Sequence, residues 1–570
     1  MILAVISTSA TLYLLFFILL APFAYFYRVV LYSSAALFIF TNLALIVDFF
    51  IFRIWKFHIN AMVLNIIFSP ESMDSIQTGI APVLAVVFII AFFILFEYFT
   101  IKKIQNAPYE KKRARNSKVN RLLLPTLFLI ILVDKVAYGF ANMYAKREYL
   151  EPTKVIPLYQ PMDFTRTMER QFGLKGVKVA KESLAIKGNK SINYPLEAIT
   201  ITNPNAKNIF IFTLDSVRAS ILSKEVTPYI DEFSKDAINF KNHISGGNAT
   251  RFGIFSLLYG LNSSYWFAFL NAQKGSILFN TLDKLHYQTH IFASASTAWP
   301  EFRKTVFYDI QDRISDKHEG KPYEKDIQTT DEFLQWIDEV NTSKPIFSFV
   351  FLDAPHGQSY PKDNRKFLPD HYGEVNYLTM TSKDRIPLLN KYKNSINFSD
   401  KLVKKMIEKL KEKGLYENSI IIITADHGQE FYEYGRYGHN SAFNYEQVKV
   451  PFIVHLPQED RYKEVTELTS NIDLVPTLMS YIGVSNKTDS YSNGDNLFSP
   501  KYKRDQAYIG NWNDNAILTD KYIYVFSNMP DKIFDNKIYD TKTYKEVHPK
   551  DSQKQKVILK ALHENSKFIK

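Results

Sequence analysis

The sequence predicts an N-terminal multi-span α-helical membrane domain, then an α/β domain with a mostly parallel sheet flanked by helices, then a small C-terminal antiparallel subdomain. Three observations carry that reading. Apolar residues crowd into the first 145 of 570 positions, in long runs of Leu, Ile, Phe and Ala without the polar breaks of soluble helices. From Asn208 onward, strand-like runs alternate with helix-like segments, the signature of parallel strands joined by crossover helices. The tail changes character: Asn515 to Phe526 reads as a hairpin with Asp520-Lys521 near its turn, and Ile538-Tyr539-Asp540 starts another strand-like piece. The expected division is 1–145 for the membrane domain, 146–200 for a juxtamembrane linker, 201–500 for the α/β domain and 501–570 for the C-terminal subdomain. A chain of this length exceeds one ordinary core, so several domains are expected.

A bilayer crossing needs about 20 apolar residues. Four stretches qualify, at about 2–27, 29–52, 80–101 and 122–144. The first lacks the basic leader and small-residue cleavage site of a signal peptide, and another span follows at once. Between the third and fourth lie Lys102-Lys103, Lys111-Lys112-Arg113-Ala114-Arg115, Lys118 and Arg121, against the single acid Glu110. The positive-inside rule makes that loop cytoplasmic and sends everything beyond the fourth span to the outer face. The same loop accounts for much of the +11 net charge, so the charge reports topology and not nucleic-acid binding. Cysteine is absent, which excludes disulfides, thiolate metal sites and a cysteine nucleophile.

Acids within a bilayer are costly, so Asp48, Glu97 and Asp134 invite a functional reading. The alternative places Asp48 and Asp134-Lys135 at the interface and leaves only Glu97 buried. The connector from Arg53 to Gly79, with Trp55, Lys56, His58 and the turn Ser69-Pro70-Glu71-Ser72, reads as an interfacial piece or a plain loop. In the linker, Phe164 to Phe172 has a short amphipathic pattern. Its Arg166 and Arg170, spaced i and i+4, share a helix face. Contact with anionic lipid and simple solvation are the two readings of that face.

The α/β domain is expected to contain strands at Asn208–Leu214, Thr289–Ser294, Ile346–Leu352 and Ser419–Thr424, and helices near Thr227–Asp236, Thr330–Val340 and Tyr392–Lys413. Two of these strands end on carboxylates, Asp215 and Asp426, and ligands of open α/β sheets sit at the carboxyl ends of strands. His427 and the turn residue Gly428 follow Asp426. Thr250, in Gly246-Gly247-Asn248-Ala249-Thr250, supplies a hydroxyl after a glycine pair that permits close backbone approach. Alone, Thr250 would suit the cap of a helix over Phe252–Leu258. With two strand-end carboxylates and an imidazole it instead suits a nucleophile activated by a metal. The set Asp215, Thr250, Asp426 and His427 favours Mn²⁺ or Zn²⁺, with Mg²⁺ or Ca²⁺ also admitted. His356 follows a third apolar strand, and His439 lies twelve residues after His427. Both are candidates to bind a phosphoryl oxygen or protonate a leaving group. Trp299 and Arg303 follow the strand ending at Ser294, as a candidate substrate wall and anion clamp.

These motifs, with Ser470-Asn471-Ile472-Asp473-Leu474-Val475-Pro476-Thr477-Leu478, resemble the sulfatase and alkaline-phosphatase superfamily. More closely, the chain resembles the YejM (also called PbgA) family of inner-membrane proteins with a periplasmic sulfatase-like domain. The stretches Phe57-His58-Ile59-Asn60, Asn65 to Glu71, Pro157-Leu158 to Leu174 and Ser245 to Gly260 carry that resemblance, the last most specifically. The family typically has five spans, so the resemblance implies that this chain lacks the first, by choice of gene start or by divergence. By resemblance to lipoteichoic-acid synthases and phosphoethanolamine transferases, Asp215, Thr250, Asp426 and His427 match a metal-held threonine nucleophile, and His356 and His439 match substrate-phosphate histidines. Those enzymes often hold Glu where this chain has Asp215. The formylglycine motif of true sulfatases is replaced by Thr250-Arg251-Phe252-Gly253. Enterobacterial YejM proteins resemble a degraded enzyme that lost the Asp-His pair, binds lipopolysaccharide and regulates its synthesis; this chain keeps the pair. Arg166 and Arg170 match the family's lipid A contact approximately, with a one-residue difference in register.

Two functions are therefore expected. One is a metal-dependent phosphoryl or phospho-headgroup hydrolase or transferase acting on membrane lipids or lipopolysaccharide. The other is a lipopolysaccharide-sensing regulator whose sulfatase-like domain is a binding module, working with an inner-membrane protein partner.

Overall fold

The computed structural model describes residues 1–570 except 69–79, 107–108, 145, 177–183, 187, 374, 376–378, 458–462, 529–535 and 550–553. The expected turn Ser69 to Ser72 lies outside the described residues. Helices α1 (Ile2–Leu20), α2 (Tyr27–Trp55), α4 (Ile80–Asn106) and α5 (Tyr109–Met143) each contain a span long and apolar enough to cross a membrane. The first two are separated at Pro22, in a single 3₁₀ turn Ala21–Phe23, where proline removes a backbone donor. The last begins before the expected span, because the Lys- and Arg-rich stretch ahead of it is also a good helix former. A short helix α3 (Ala61–Phe68) lies in the connector that was expected to be an interfacial piece or a loop.

The intramembrane acids resolve differently from both expectations. Asp48 is buried, accepting from Ile59 N (2.7 Å) and contacting His58 Nδ1 (2.6 Å), while His58 Nε2 meets the Lys154 carbonyl (2.8 Å). Asp134 is buried beside Lys135 (3.1 Å) and accepts from the Tyr159 hydroxyl (3.1 Å). Both acids therefore bind the spans to the segments that follow them, and Glu97 is the one left half-buried along its helix.

Helix α6 (Thr165–Phe172) holds the linker's amphipathic segment. Phe164, just before it, stacks edge-on against Phe140 of α5 (5.3 Å) above Gly139, where any side chain would collide with the ring. The central sheet contains β1 (Asn208–Leu214), β2 (Ile238–Phe240), β3 (Gln288–Ala293), β4 (Ile314–Ser315), β5 (Ile346–Leu352), β6 (Ser419–Ala425), β7 (Phe452–His455) and β8 (Lys463–Val465). Its order is β8-β2-β7-β6-β1-β5-β3-β4, and only β7 runs against the others. Side chains alternate across the pleat: Ile209 and Ile211 enter one apolar core, and Phe210, Phe212 and Leu214 enter the other. Burial on both faces explains why these strands read as unbroken apolar runs.

Helices α7 (Thr250–Tyr259), α8 (Pro322–Glu339) and α9 (Arg385–Glu412) are among those covering the sheet. The C-terminal subdomain is the antiparallel sheet β9 (Ala507–Gly510), β10 (Asp514–Leu518), β11 (Tyr522–Ser527) and β12 (Lys537–Asp540). One face packs on Ile244, Ala442, Phe443 and Val448 of the α/β domain, and the other on Val557, Ile558 and Ala561 of the terminal helix α10 (Lys554–Ser566). That helix was not anticipated from the sequence.

Removing the Asp48 carboxylate strands the Ile59 amide and His58. Asp48→Ala should cost about 1–3 kcal/mol, seen as a lower Tm of the detergent-solubilised chain. An unchanged Tm would show that the turn does not need this acid.

Candidate active site

Three neighbouring parallel strands each deliver an aspartate at their carboxyl ends: Asp215 after β1, Asp353 after β5 and Asp426 after β6. Strands in a sheet lie about 4.8 Å apart, so this register forces the carboxylates together. Oxygens of Asp215 and Asp426 and a ring nitrogen of His427 lie within 4.8 Å of one another, and so do the corresponding atoms of Asp215, Asp353 and His356.

Backbone geometry fixes each side chain. Ser216 adopts φ 63°, a left-handed conformation costing about 1–2 kcal/mol, and thereby aims its N–H at Asp426 Oδ1 (3.0 Å). Its hydroxyl donates to Asp215 Oδ1 (2.7 Å). The His427 N–H also donates to Asp426 Oδ1 (2.8 Å), while Asp426 Oδ2 is buried without a hydrogen-bond partner. His427 Nδ1 lies 2.9 Å from the Gly428 carbonyl, which can only accept, so Nδ1 carries the proton and Nε2 presents its lone pair. That lone pair faces Asp426 Oδ2 (3.3 Å), Asp215 Oδ1 (3.9 Å) and Thr250 Oγ1 (3.2 Å).

Thr250 is the first residue of α7. The position before it is Ala249, whose side chain cannot cap, so the threonine hydroxyl is directed at His427 instead of acting as a helix cap. The approach of α7 to the strand end depends on Gly253, where a Cβ would lie 2.3 Å from the Asp426 carbonyl, and on Gly247, where one would press on Phe252. The loop before Thr250 is pinned from several sides. Ser263 Oγ and Gly510 N donate to the Gly246 carbonyl, Asn248 donates to Ala442 O, and Ser245 Oγ donates to the Asp426 carbonyl.

His356 contacts Asp353 (3.3 Å), and the rings of His439 and His427 lie 4.4 Å apart. Buried charge shapes their protonation. Burial and mutual repulsion push Asp215 up to about 7, and burial pushes Asp426 up to about 6. Burial opposes a charge on His356, yet Asp215, Asp353 and Asp426 together hold it up to about 10. Burial takes His427 down to about 4, and burial beside His427 and His356 lowers His439. The donor set fits a divalent cation: crowded carboxylates, one with an unpartnered oxygen, a neutral imidazole and a hydroxyl.

Asp215, Thr250, His356, Asp426, His427 and His439 are thus brought together as the motifs anticipated. Arg303 is not a free anion clamp: it is paired with Asp316 (2.9 Å) and donates to the Gln311 carbonyl (3.1 Å). Trp299 is not an open wall, because its indole N–H donates to Asn65 of α3 (3.0 Å). Arg166 and Arg170 are exposed on α6. Asp353 and Ser216 are site residues beyond those expected. Asp353 obeys the same strand-end rule that selects Asp215, and Ser216 carries no signal beyond adjacency.

The fold and these side chains define a class: a chain with four helices long and apolar enough to cross a membrane, followed by a sulfatase-like α/β domain. Residues 207–484 match the Sulfatase family, and residues 1–201 match the Domain of unknown function (DUF3413). Along most of its length the chain is similar to the inner membrane protein YejM of Salmonella typhimurium, 23% identical over 533 residues, covering 92% of this chain and 83% of the relative. It is also similar to the lipoteichoic acid synthase-like protein YvgJ of Bacillus subtilis, 24% identical over 352 residues, covering 56% and 53% of the two chains. The solved structure of BT4656 with its substrate D-glucosamine-2-N,6-O-disulfate shares the fold, with TM-score 0.51 and 16% identity over 64% of this chain and 98% of that one.

Both aspartates hold protons more tightly in the folded, metal-free chain than when unfolded. Their contribution to folding is therefore greatest at low pH and is lost as pH rises through about 6 and about 7. A cation competes with those protons, so its stabilising effect grows over the same window. Mn²⁺ should raise the Tm of chelator-treated protein more near pH 8 than near pH 5.5, and Asp426→Asn should abolish the increase. Equal shifts at both pH values would contradict this.

Proposed function

We propose that this protein is a membrane-anchored, metal-dependent hydrolase or transferase of phosphoester headgroups on envelope lipids or lipopolysaccharide, with Thr250 as its nucleophile. The observation that carries the reading is the Thr250 hydroxyl, 3.2 Å from His427 Nε2 and beside the unpartnered Asp426 oxygen. Asp215, Asp426, His427 and Thr250 would hold the cation, which supplies charge stabilisation for the threonine oxygen and the phosphoryl group. Thr250 Oγ bonds to phosphorus as the ester oxygen departs, and the threonine proton is taken by the neighbouring Asp426 carboxylate, whose Oδ2 is unpartnered. His356, paired with Asp353 (3.3 Å), is the group that protonates the leaving oxygen. Water or an acceptor alcohol then releases the phosphothreonine, which distinguishes hydrolysis from transfer. Phosphoesters are favoured over sulfate esters because the chain has no cysteine and carries threonine at the nucleophile position. Similarity to a lipoteichoic acid synthase-like protein supports the same direction.

Purified full-length chain with Mn²⁺ or Zn²⁺ should cleave p-nitrophenyl phosphate or its bis-ester but not p-nitrophenyl sulfate. Thr250→Ala should lower kcat roughly 10³-fold or more while keeping bound metal. Equal turnover by the variant would eliminate Thr250 as nucleophile.

A second reading, regulation by lipopolysaccharide or another anionic lipid together with an inner-membrane protein partner, is supported by α6. Its exposed Arg166 and Arg170 sit on a helix anchored to the last span through Phe164. Replacing both with Ala should weaken binding to lipopolysaccharide-containing vesicles while leaving p-nitrophenyl phosphate turnover intact. Unaltered vesicle binding would remove this role.

A further inference from the structure

We propose that Asn65, a residue of the membrane domain, is a positioning residue for the soluble domain's active site, acting through Arg251 on the neighbouring Thr250. The inference rests on Thr250 being the nucleophile.

Helix α3 is not a free tether. The turn before it is fixed by Asp48, His58 and the Lys154 carbonyl, and Asn60 Oδ1 receives the amides of Met62 and Val63 at its start. From that fixed start the segment reaches three separate loops of the soluble part. Asn60 donates to Asn513 (3.0 Å) in the hairpin between β9 and β10. The Met62 sulfur accepts from Asn440 (2.7 Å), the residue after His439. Asn65 Oδ1 accepts from Trp299 Nε1 (3.0 Å) and Arg251 Nη2 (3.4 Å), and Asn65 Nδ2 donates to Glu301 (3.4 Å).

Arg251 is the centre of this contact. Its guanidinium is buried, paired with Glu301, and ringed by Trp512 (4.3 Å), Trp266 (5.3 Å) and Trp299 (5.8 Å). Three of the chain's five tryptophans surround this one cation, a concentration that marks a built anchor and not a surface arginine. Its Nη2 meets Glu301 and the Asn65 oxygen while its Nε is buried without a partner, so one of the acceptors on this buried guanidinium comes from the membrane domain. Arg251 and Thr250 are consecutive residues in the first turn of α7, so the backbone that the Arg251 anchor holds in place also carries Thr250. Misplacement of a reacting group by about 1 Å can cost roughly 10²-fold in rate. The membrane domain therefore completes the active site as well as tethering it.

The test uses Mn²⁺-loaded full-length protein in nanodiscs of phosphatidylethanolamine and phosphatidylglycerol, with bis(p-nitrophenyl) phosphate as substrate. Asn65→Ala should lower kcat roughly 10- to 100-fold, with KM changed less than about twofold, unchanged Mn²⁺ content and faster amide exchange over residues 251–254. Asn65→Asp, which keeps the acceptor, should restore most of kcat. Wild-type kcat in Asn65→Ala, or a loss confined to KM or to Mn²⁺ content, would overturn the proposal. If wild-type protein turns over no phosphoester, the proposed function fails separately, and amide exchange decides: faster exchange in Asn65→Ala supports the positioning role, and unchanged exchange overturns it.

Discussion

Repulsion among buried carboxylates is the constraint around which this molecule is arranged. Parallel strands β6, β1 and β5 lie side by side, and each ends in an aspartate. Strand spacing leaves those groups no room to separate. Their neighbours are arranged to tolerate that crowding: the strained Ser216 amide on Asp426, the cationic His356 beside Asp353, and the neutral His427 turned so that its lone pair faces the gap. Such a cluster has the donors to hold a divalent cation.

The remaining architecture holds this cluster in place. The glycines before and within α7 let that helix approach the end of β6. The C-terminal sheet contributes Gly510, which clamps the loop before Thr250 through the Gly246 carbonyl. Buried Asp326 of α8 accepts from the amides of Asp353 and Ala354 and so sets the loop carrying His356. Each support comes from a different part of the chain, so the site is a property of the assembled domain.

The membrane domain is joined to that assembly by specific polar contacts. Arg53 donates to the Met380 carbonyl, Ile54 enters an apolar core of the sheet, and α3 reaches the loops beside Thr250 and His439. Acids that would be expensive in lipid are spent here on local structure: Asp48 on the turn before α3, Asp134 on the tyrosine that follows the last span.

Much of this was legible in the chain because it is written in local pattern. Apolar length announced the spans, unbroken Ile and Phe runs announced the doubly covered strands, and the strand-end rule located Asp215, Asp426 and His427. The same rule applied to β5 would have added Asp353. Other features depend on partners distant in sequence. That Arg303 pairs with Asp316, that Trp299 turns to Asn65, and that Asp48 is consumed by His58 are choices among neighbours, and packing makes those choices. The sequence alone determined which chemical groups the sheet edge would present, since strand periodicity and strand ends are set by adjacent residues. Only the tertiary structure decided that the short connector helix α3 would contact the residues beside that edge, because contacts across the 186 residues from Asn65 to Arg251 leave no periodic trace in either segment.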